Sequence, residues 1–217
     1  MKAFSSVSLC LVLATVAVAA DKPDAEQGFV SLFDGKTFNG WKVGKNADSF
    51  KIQDGMIVVN GPVGHLFYMG DVAGHEFKNF VFRAEVMTYP KANSGIYFHA
   101  HYQEQGFPTT GMECQVNNSH KDWRRTGSLY GLNDIKASPA KDNVWYTQEI
   151  IVRGTHIVVN IAGEKVIDFT LPPEAAKGDY KLPTKMTYLA SGTFALQGHD
   201  PGSKVCYKNL RVKVLPD

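Results

Sequence analysis

The sequence predicts an all-β fold, a two-sheet antiparallel sandwich. Three observations carry that expectation. Apolar and polar residues alternate with a period of two along several short runs, turn residues separate those runs, and no window of about 12 residues sustains a helical period. In a sandwich, one face of each sheet builds the core and the other is left for solvent or for a site.

The strands are read in chain order. Residues 49–53 and 56–59 flank Asp54-Gly55, a pair suited to the left-handed backbone of a tight hairpin. Along 80–88, Phe80, Phe82, Ala84 and Val86 fall on one face and Val81, Arg83 and Glu85 on the other. Along 94–102, Ile96, Phe98 and Ala100 fall on one side and Tyr97, His99 and His101 on the other. Further strands are expected at 111–116, 145–153, 155–161, 165–170, 194–197 and 204–214, with turns at Gly154-Thr155 and Ala162-Gly163-Glu164. Residues 172–177 suit one helical turn, and 61–64 and Ser191-Gly192 read as turns. Trp41 and the segment Phe33-Asp34-Gly35-Lys36 read as structural, since a tryptophan beside a turn is most often buried. The longest irregular stretch, 117–143, holds His120, Asp122, Trp123, Arg124, Arg125 and Tyr130. Loops of that length in a compact domain tend to carry function.

The N-terminus speaks to compartment. Lys2, a mostly apolar run over 7–18 and the small residues Ala17-Val18-Ala19-Ala20 before Asp21 have the layout of a cleavable secretory signal. Residues 1–20 are therefore expected to be removed, leaving 21–217 as a single secreted or periplasmic domain with no membrane span. The formal charge of +2 falls to +1 with the loss of Lys2, and no Lys/Arg run remains to attract nucleic acid or an anionic membrane. Cys114 and Cys206 both lie in strand-like runs and read as buried free thiols.

Chemistry concentrates on two runs. His99 and His101 share a face if their strand is regular, and Glu113, Gln115 and Asn117 share one on the next. Paired, the two strands would set imidazoles, a carboxylate and amides in one patch, with Tyr97, Tyr102 and Trp123 available to stack on a sugar ring. His-x-His with Glu113 also offers three ligands for a divalent metal, the one cofactor the sequence suggests. The carboxylate pair of ordinary glycoside hydrolysis is not evident: Glu113 stands without a Glu-x-Asp-x-x-Glu strand, and Asp122 and Asp134 lie in the long loop. Nucleophile-elbow, phosphate-loop and dinucleotide motifs are absent.

Several motifs, taken in order, resemble one family. They are Phe29-Val30-Ser31-Leu32-Phe33-Asp34-Gly35-Lys36 with Gly40-Trp41, Asn93-Ser94-Gly95-Ile96-Tyr97-Phe98-His99, and Gly111-Met112-Glu113-Cys114-Gln115-Val116. Thr126-Gly127-Ser128-Leu129-Tyr130, Leu196-Gln197-Gly198-His199 and Lys208-Asn209-Leu210-Arg211-Val212 complete the set. Together they are similar to the 3-keto-disaccharide hydrolases, formerly domain of unknown function 1080. The resemblance implies a jelly-roll sandwich of the concanavalin-A-like lectin and glucanase type, and a glycoside substrate oxidised to a ketone at C3. Glu113 and Gln115 match the family's Glu-x-Gln strand, and Gln197 and His199 its late Gln-x-His element. His99 stands where many members carry arginine, and resembles a subset with Tyr-Phe-His and an Asn-Asn-x-His-x-Asp-Trp loop.

A C3 ketone acidifies the C2 proton. Its removal gives an enolate, the aglycone leaves from C1, and water adds back. On this reading Glu113 or His99 is the base, and His101, Gln115 or His120 steadies the oxyanion or leaving group, with Arg124 and Lys136 as further cations. Gln115, Asn117, His120, Trp123, Arg124, Tyr130, Gln197 and His199 are the expected carbohydrate-binding residues. Two other classes compete on the same fold: a non-catalytic carbohydrate-binding module and a structural envelope protein.

Overall fold

The computed structural model describes residues 27–217. The expected signal segment lies outside the described residues. Fifteen strands account for the regular structure: β1 Val30–Ser31, β2 Trp41–Val43, β3 Phe50–Gln53, β4 Met56–Val59, β5 Gly64–Tyr68, β6 Phe80–Thr88, β7 Ser94–Ala100, β8 Met112–Val116, β9 Tyr146–Arg153, β10 His156–Ile161, β11 Glu164–Thr170, β12 Tyr180–Lys181, β13 Thr187–Tyr188, β14 Thr193–Gly198 and β15 Val205–Val214. Among the described residues there is no α-helix, only short 3-10 turns, one of them at Pro173–Lys177 where the sequence suits a helical turn. No helix among these residues is long and apolar enough to cross a membrane.

Two antiparallel sheets face each other. The larger has the order β11-β10-β9-β6-β15-β4-β3, with β1 beside the far end of β15, and the smaller has the order β2-β5-β14-β7-β8. A separate two-stranded ribbon pairs β12 with β13. The β3–β4 hairpin closes through Asp54 and Gly55, both at positive φ (49° and 76°), as the Asp-Gly pair requires.

The two sheets bury their faces differently. In β6 and β9 every second residue is buried and those between are partly exposed, the alternation of a half-buried sheet. In β5, β7, β8 and β14 every residue is buried. The small sheet therefore packs on the core with one face and lies beneath loops with the other. That second face is where a site can sit on rigid backbone.

The core between the sheets is aromatic. Phe194 on β14 stacks on Phe77 and Phe82, each at 4.5 Å between ring centroids, and meets Phe80 edge-on at 4.9 Å. Trp41 is buried as its position suggests, with its indole N–H donating to the Leu32 carbonyl at 2.6 Å and its ring edge-on to Tyr68. Cys114 and Cys206 are both buried and unbridged.

One strand departs from its expected alternation, and the departure matters. His99 takes a positive φ of 52°. Against β14, Tyr97 faces Ala195 but Ala100 faces Thr193, so β7 carries one residue more than its partner. This is a bulge. It turns His99 into the core, against Phe80, Phe98 and Tyr188, and moves Ala100 to the opposite face, beside Phe67, Tyr97 and Ala195.

Replacing Phe194 with Ala removes the ring that joins both sheets. The expected cost is about 3–5 kcal/mol. It should appear in urea unfolding as a lower midpoint with an unchanged slope.

Candidate active site

The covered face of the small sheet holds a cleft of about 390 Å³, the size of a small-molecule site. Its floor is Tyr97 on β7, Glu113 and Gln115 on β8, and Gln197 on β14. Asn93 and His199, just outside the ends of β7 and β14, sit at one end. Loops supply Phe107, Pro108, Asp122, Tyr130, Thr184 and Met186.

Strand pairing brings these side chains together. Tyr97 lies opposite Glu113 in the β7–β8 register, and β14 lies on the other side of β7. The Tyr97 hydroxyl donates to Glu113 Oε2 at 2.8 Å, and Gln197 Nε2 donates to the Tyr97 hydroxyl at 3.0 Å and to Glu113 Oε1 at 3.3 Å. With the Gln115 amide oriented so that its nitrogen faces two acceptors, it donates to the Ser94 carbonyl at 2.8 Å and to Glu113 Oε1 at 3.1 Å. Gly95 makes room for this arrangement. It pairs with Gln115, and a Cβ there would stand 2.4 Å from Glu113 Oε1.

Glu113 is only 6 % exposed although it lines the cleft. Burial is the dominant influence on its carboxyl and raises the pKa from 4.5 to about 7, against the downward pull of Tyr97 and Gln197. A carboxyl poised there exchanges protons readily at neutral pH. Two neighbouring acceptors, Asn93 Oδ1 and Gln197 Oε1, are buried without a protein partner.

The long loop 117–143 runs along the free edge of β8. Gln115 N–H donates to the Ser128 carbonyl, Gly127 N–H to the Gln115 carbonyl and Tyr130 N–H to the Glu113 carbonyl, each at 2.9–3.0 Å. Asn117 organises the turn of this loop: its Nδ2 donates to the carbonyls of Asp122 and Arg124, and its Oδ1 accepts the His120 N–H. Arg124 is held by Asp122 and Asp134 and lies over the Tyr130 ring, 4.6 Å from its centroid. The loop thus places Asp122 and Tyr130 in the cleft and a guanidinium behind Tyr130.

Of the residues expected from sequence, Glu113, Gln115, Tyr130, Gln197 and His199 line the cleft. His120 stands at its end, edge-on to His199 at 5.6 Å. Asn117 and Arg124 support the loop. Trp123 is 46 % exposed outside the cleft wall, and Tyr102 packs on Phe67 beneath Lys42. The expected row of His99 and His101 beside Glu113 does not form. The bulge sends His99 into the core, where its Nε2 lies 3.0 Å from the Lys78 carbonyl and burial lowers its pKa to about 4. His101 falls beyond the end of β7, exposed, with the Glu76 carboxylate at 3.9 Å. The ligand set of His99, His101 and Glu113 is therefore not assembled, and among the described residues no three His, Cys, Asp or Glu side chains group to hold a metal ion.

Sequence reading passed over His65, which pairs with Gln197 across β5 and β14 and lies edge-on to Tyr97 at 5.4 Å. Burial lowers its pKa to about 4. The run Gly64–Tyr68 does not alternate because both of its faces are covered. A short continuous run bounded by glycines was its only signal. Thr184 and Met186 reach the cleft from a loop whose sequence carries no mark of it.

Known proteins share this fold. A 3-keto-disaccharide hydrolase of Bacteroides thetaiotaomicron is 30% identical, with 89% of this chain and 80% of that protein aligned. A crystal structure from Parabacteroides distasonis, described as a glycosyl-hydrolase candidate, superposes with a TM-score of 0.72 at 22% identity, covering 88% of this chain and 96% of that one. The carbohydrate-binding module CBM66 of Bacillus subtilis shares the sandwich at a TM-score of 0.57 and 12% identity, over 80% of this chain and 95% of its own. Residues 28–213 match the family described as the 3-keto-alpha-glucoside-1,2-lyase-like domain, and the chain belongs to that family.

Proposed function

We propose that this protein cleaves glycosides already oxidised at C3, with Glu113 as the base that removes the C2 proton. The observation that carries the proposal is the Glu113 carboxyl itself: buried at the floor of a sugar-sized cleft, oriented by three side-chain donors, and raised to about pKa 7. A site that only binds sugar gains nothing from a carboxyl displaced to neutrality. The family and the Bacteroides relative support the substrate class.

The chemistry needs one base at C2 rather than two flanking carboxylates. The C3 carbonyl delocalises the charge left by the C2 proton, and the electrons then expel the oxygen at C1. Tyr130 lines the cleft with its ring backed by the Arg124 guanidinium, and its hydroxyl is our candidate donor to the developing enolate oxygen. Tyr97, Gln115 and Gln197 keep Glu113 aimed.

Incubating the protein with a 3-keto glucoside and with its unoxidised parent should release aglycone from the keto sugar alone. Glu113→Gln should lower that rate by at least about a thousandfold while leaving the circular dichroism spectrum unchanged. Retained turnover in the variant would falsify the assignment. Because the base acts when ionised, the acidic limb of kcat/KM should have its midpoint near pH 7.

The same carboxyl links pH to stability. The folded state keeps its proton up to about pH 7, whereas the unfolded chain releases it near 4.5. The associated stability is complete below about 4.5 and is lost as pH rises through 7. Glu113→Gln removes this dependence, so the variant should gain on the native protein by on the order of 3 kcal/mol between pH 4 and pH 8. Thermal melts at the two pH values measure it. Tyr130→Phe should reduce kcat by about a hundredfold with a smaller change in KM, the signature of a donor used in the transition state.

A further inference from the structure

Two histidines meet at the end of the cleft, and their surroundings give them opposite roles. His120 Nδ1 lies 3.2 Å from the backbone N–H of Asp122 and 3.3 Å from Asn93 Nδ2. A ring nitrogen that accepts an N–H carries no proton of its own, so the His120 proton sits on Nε2. Protonating Nδ1 would break both bonds. His120 is thereby held as a neutral N–H donor, and burial, followed by the neighbouring His199, lowers its pKa.

His199 is built the other way. Its Nδ1 lies 2.7 Å from Asp200 Oδ2, so Nδ1 donates to a carboxylate and Nε2 is left to exchange protons. Asp200 is itself fixed. Its Oδ2 also accepts from the Ser203 hydroxyl at 2.8 Å, and its Oδ1 accepts the Gly202 N–H at 2.8 Å. Ser203 Oγ in turn accepts the Asn93 N–H at 2.9 Å, which ties the group to the start of β7. Burial alone would raise the Asp200 carboxyl, but the bonds from His199, Ser203 and Gly202 hold it below the usual carboxylate range. The other groups facing His199 are His120, His65 and the Phe107 ring. A carboxylate behind an imidazole fixes its orientation, the logic of a base held by a third group.

We propose that His199, positioned by Asp200 and Ser203, is the proton carrier for the leaving oxygen, with His120 as a fixed neutral donor beside it. The assignment rests on the reading of Glu113 as the C2 base. In the first half-reaction Glu113 takes the C2 proton, the C1–O bond breaks, and His199 Nε2 gives its proton to the departing oxygen. This leaves a neutral imidazole and a protonated carboxyl. In the second, water adds at C1 and yields a proton to His199 while Glu113 returns one to C2. Both groups are restored, and the net change is one water consumed for one glycosidic bond cleaved.

The test separates proton removal from bond cleavage. In D2O, the native protein, His199→Ala and Asp200→Asn are each given methyl 3-keto-glucoside and 4-nitrophenyl 3-keto-glucoside. Aglycone release and deuterium entry at C2 of the recovered substrate are then followed. The expected result is that His199→Ala loses about 10²- to 10⁴-fold in methanol release but no more than about tenfold in 4-nitrophenol release, while C2 exchange persists. Asp200→Asn should shift in the same direction by a smaller factor, and it keeps the proposal testable if His199→Ala does not fold. Release and exchange that fall together, or equal losses for both aglycones, overturn the role of His199 and leave Glu113 standing. A native protein that neither exchanges nor releases with either keto sugar overturns both.

Discussion

A carboxyl group held out of water resists ionisation, and Glu113 holds one at the floor of the cleft. Much of the small sheet follows from satisfying it. Tyr97, Gln115 and Gln197 must each spend a side-chain donor on the carboxylate, so three adjacent strands are brought into register around one group. Gly95 must lack a side chain. The aromatic layer beneath, centred on Phe194, holds β14 against the opposite sheet and so keeps Gln197 in place. Stability and site share the same strands, with alternate residues facing opposite ways.

Where one face of a strand meets water, the sequence showed it. β6 and β9 alternate cleanly, and Phe80, Phe82, Ala84 and Val86 are all buried in the core. The Asp54-Gly55 hairpin was equally plain. β5 was not, because a strand covered on both faces has no polar half to alternate, and with it His65 was missed. The His99 error has a different source. A bulge inserts one residue, and period-two counting then assigns every later side chain to the wrong face. His99 and Ala100 exchanged places for that reason. Glu113 and Gln115 were legible because they alternate on a regular strand, and Gln197 and His199 through the resemblance to the family's Gln-x-His element.

The long loop shows why length alone says little about order. It has no regular structure of its own for most of 117–143, yet it pairs its backbone with β8 and ties its own turn through Asn117. It thereby covers an open sheet edge and one side of the cleft at once. Scaffold strands supply the carboxyl and amides, and loops supply the aromatic and charged surroundings.

The close approach of Gly95 to Glu113 also constrains the order in which these positions can change over evolutionary time. While glutamate occupies 113, any side chain at 95 collides with its carboxylate at 2.4 Å. Once 113 has shortened, that contact is gone and an alanine can arise at 95. From there a return to glutamate meets the new Cβ and needs a second, simultaneous reversion. A lineage that gives up this carboxylate is therefore separated from its ancestor by a ratchet.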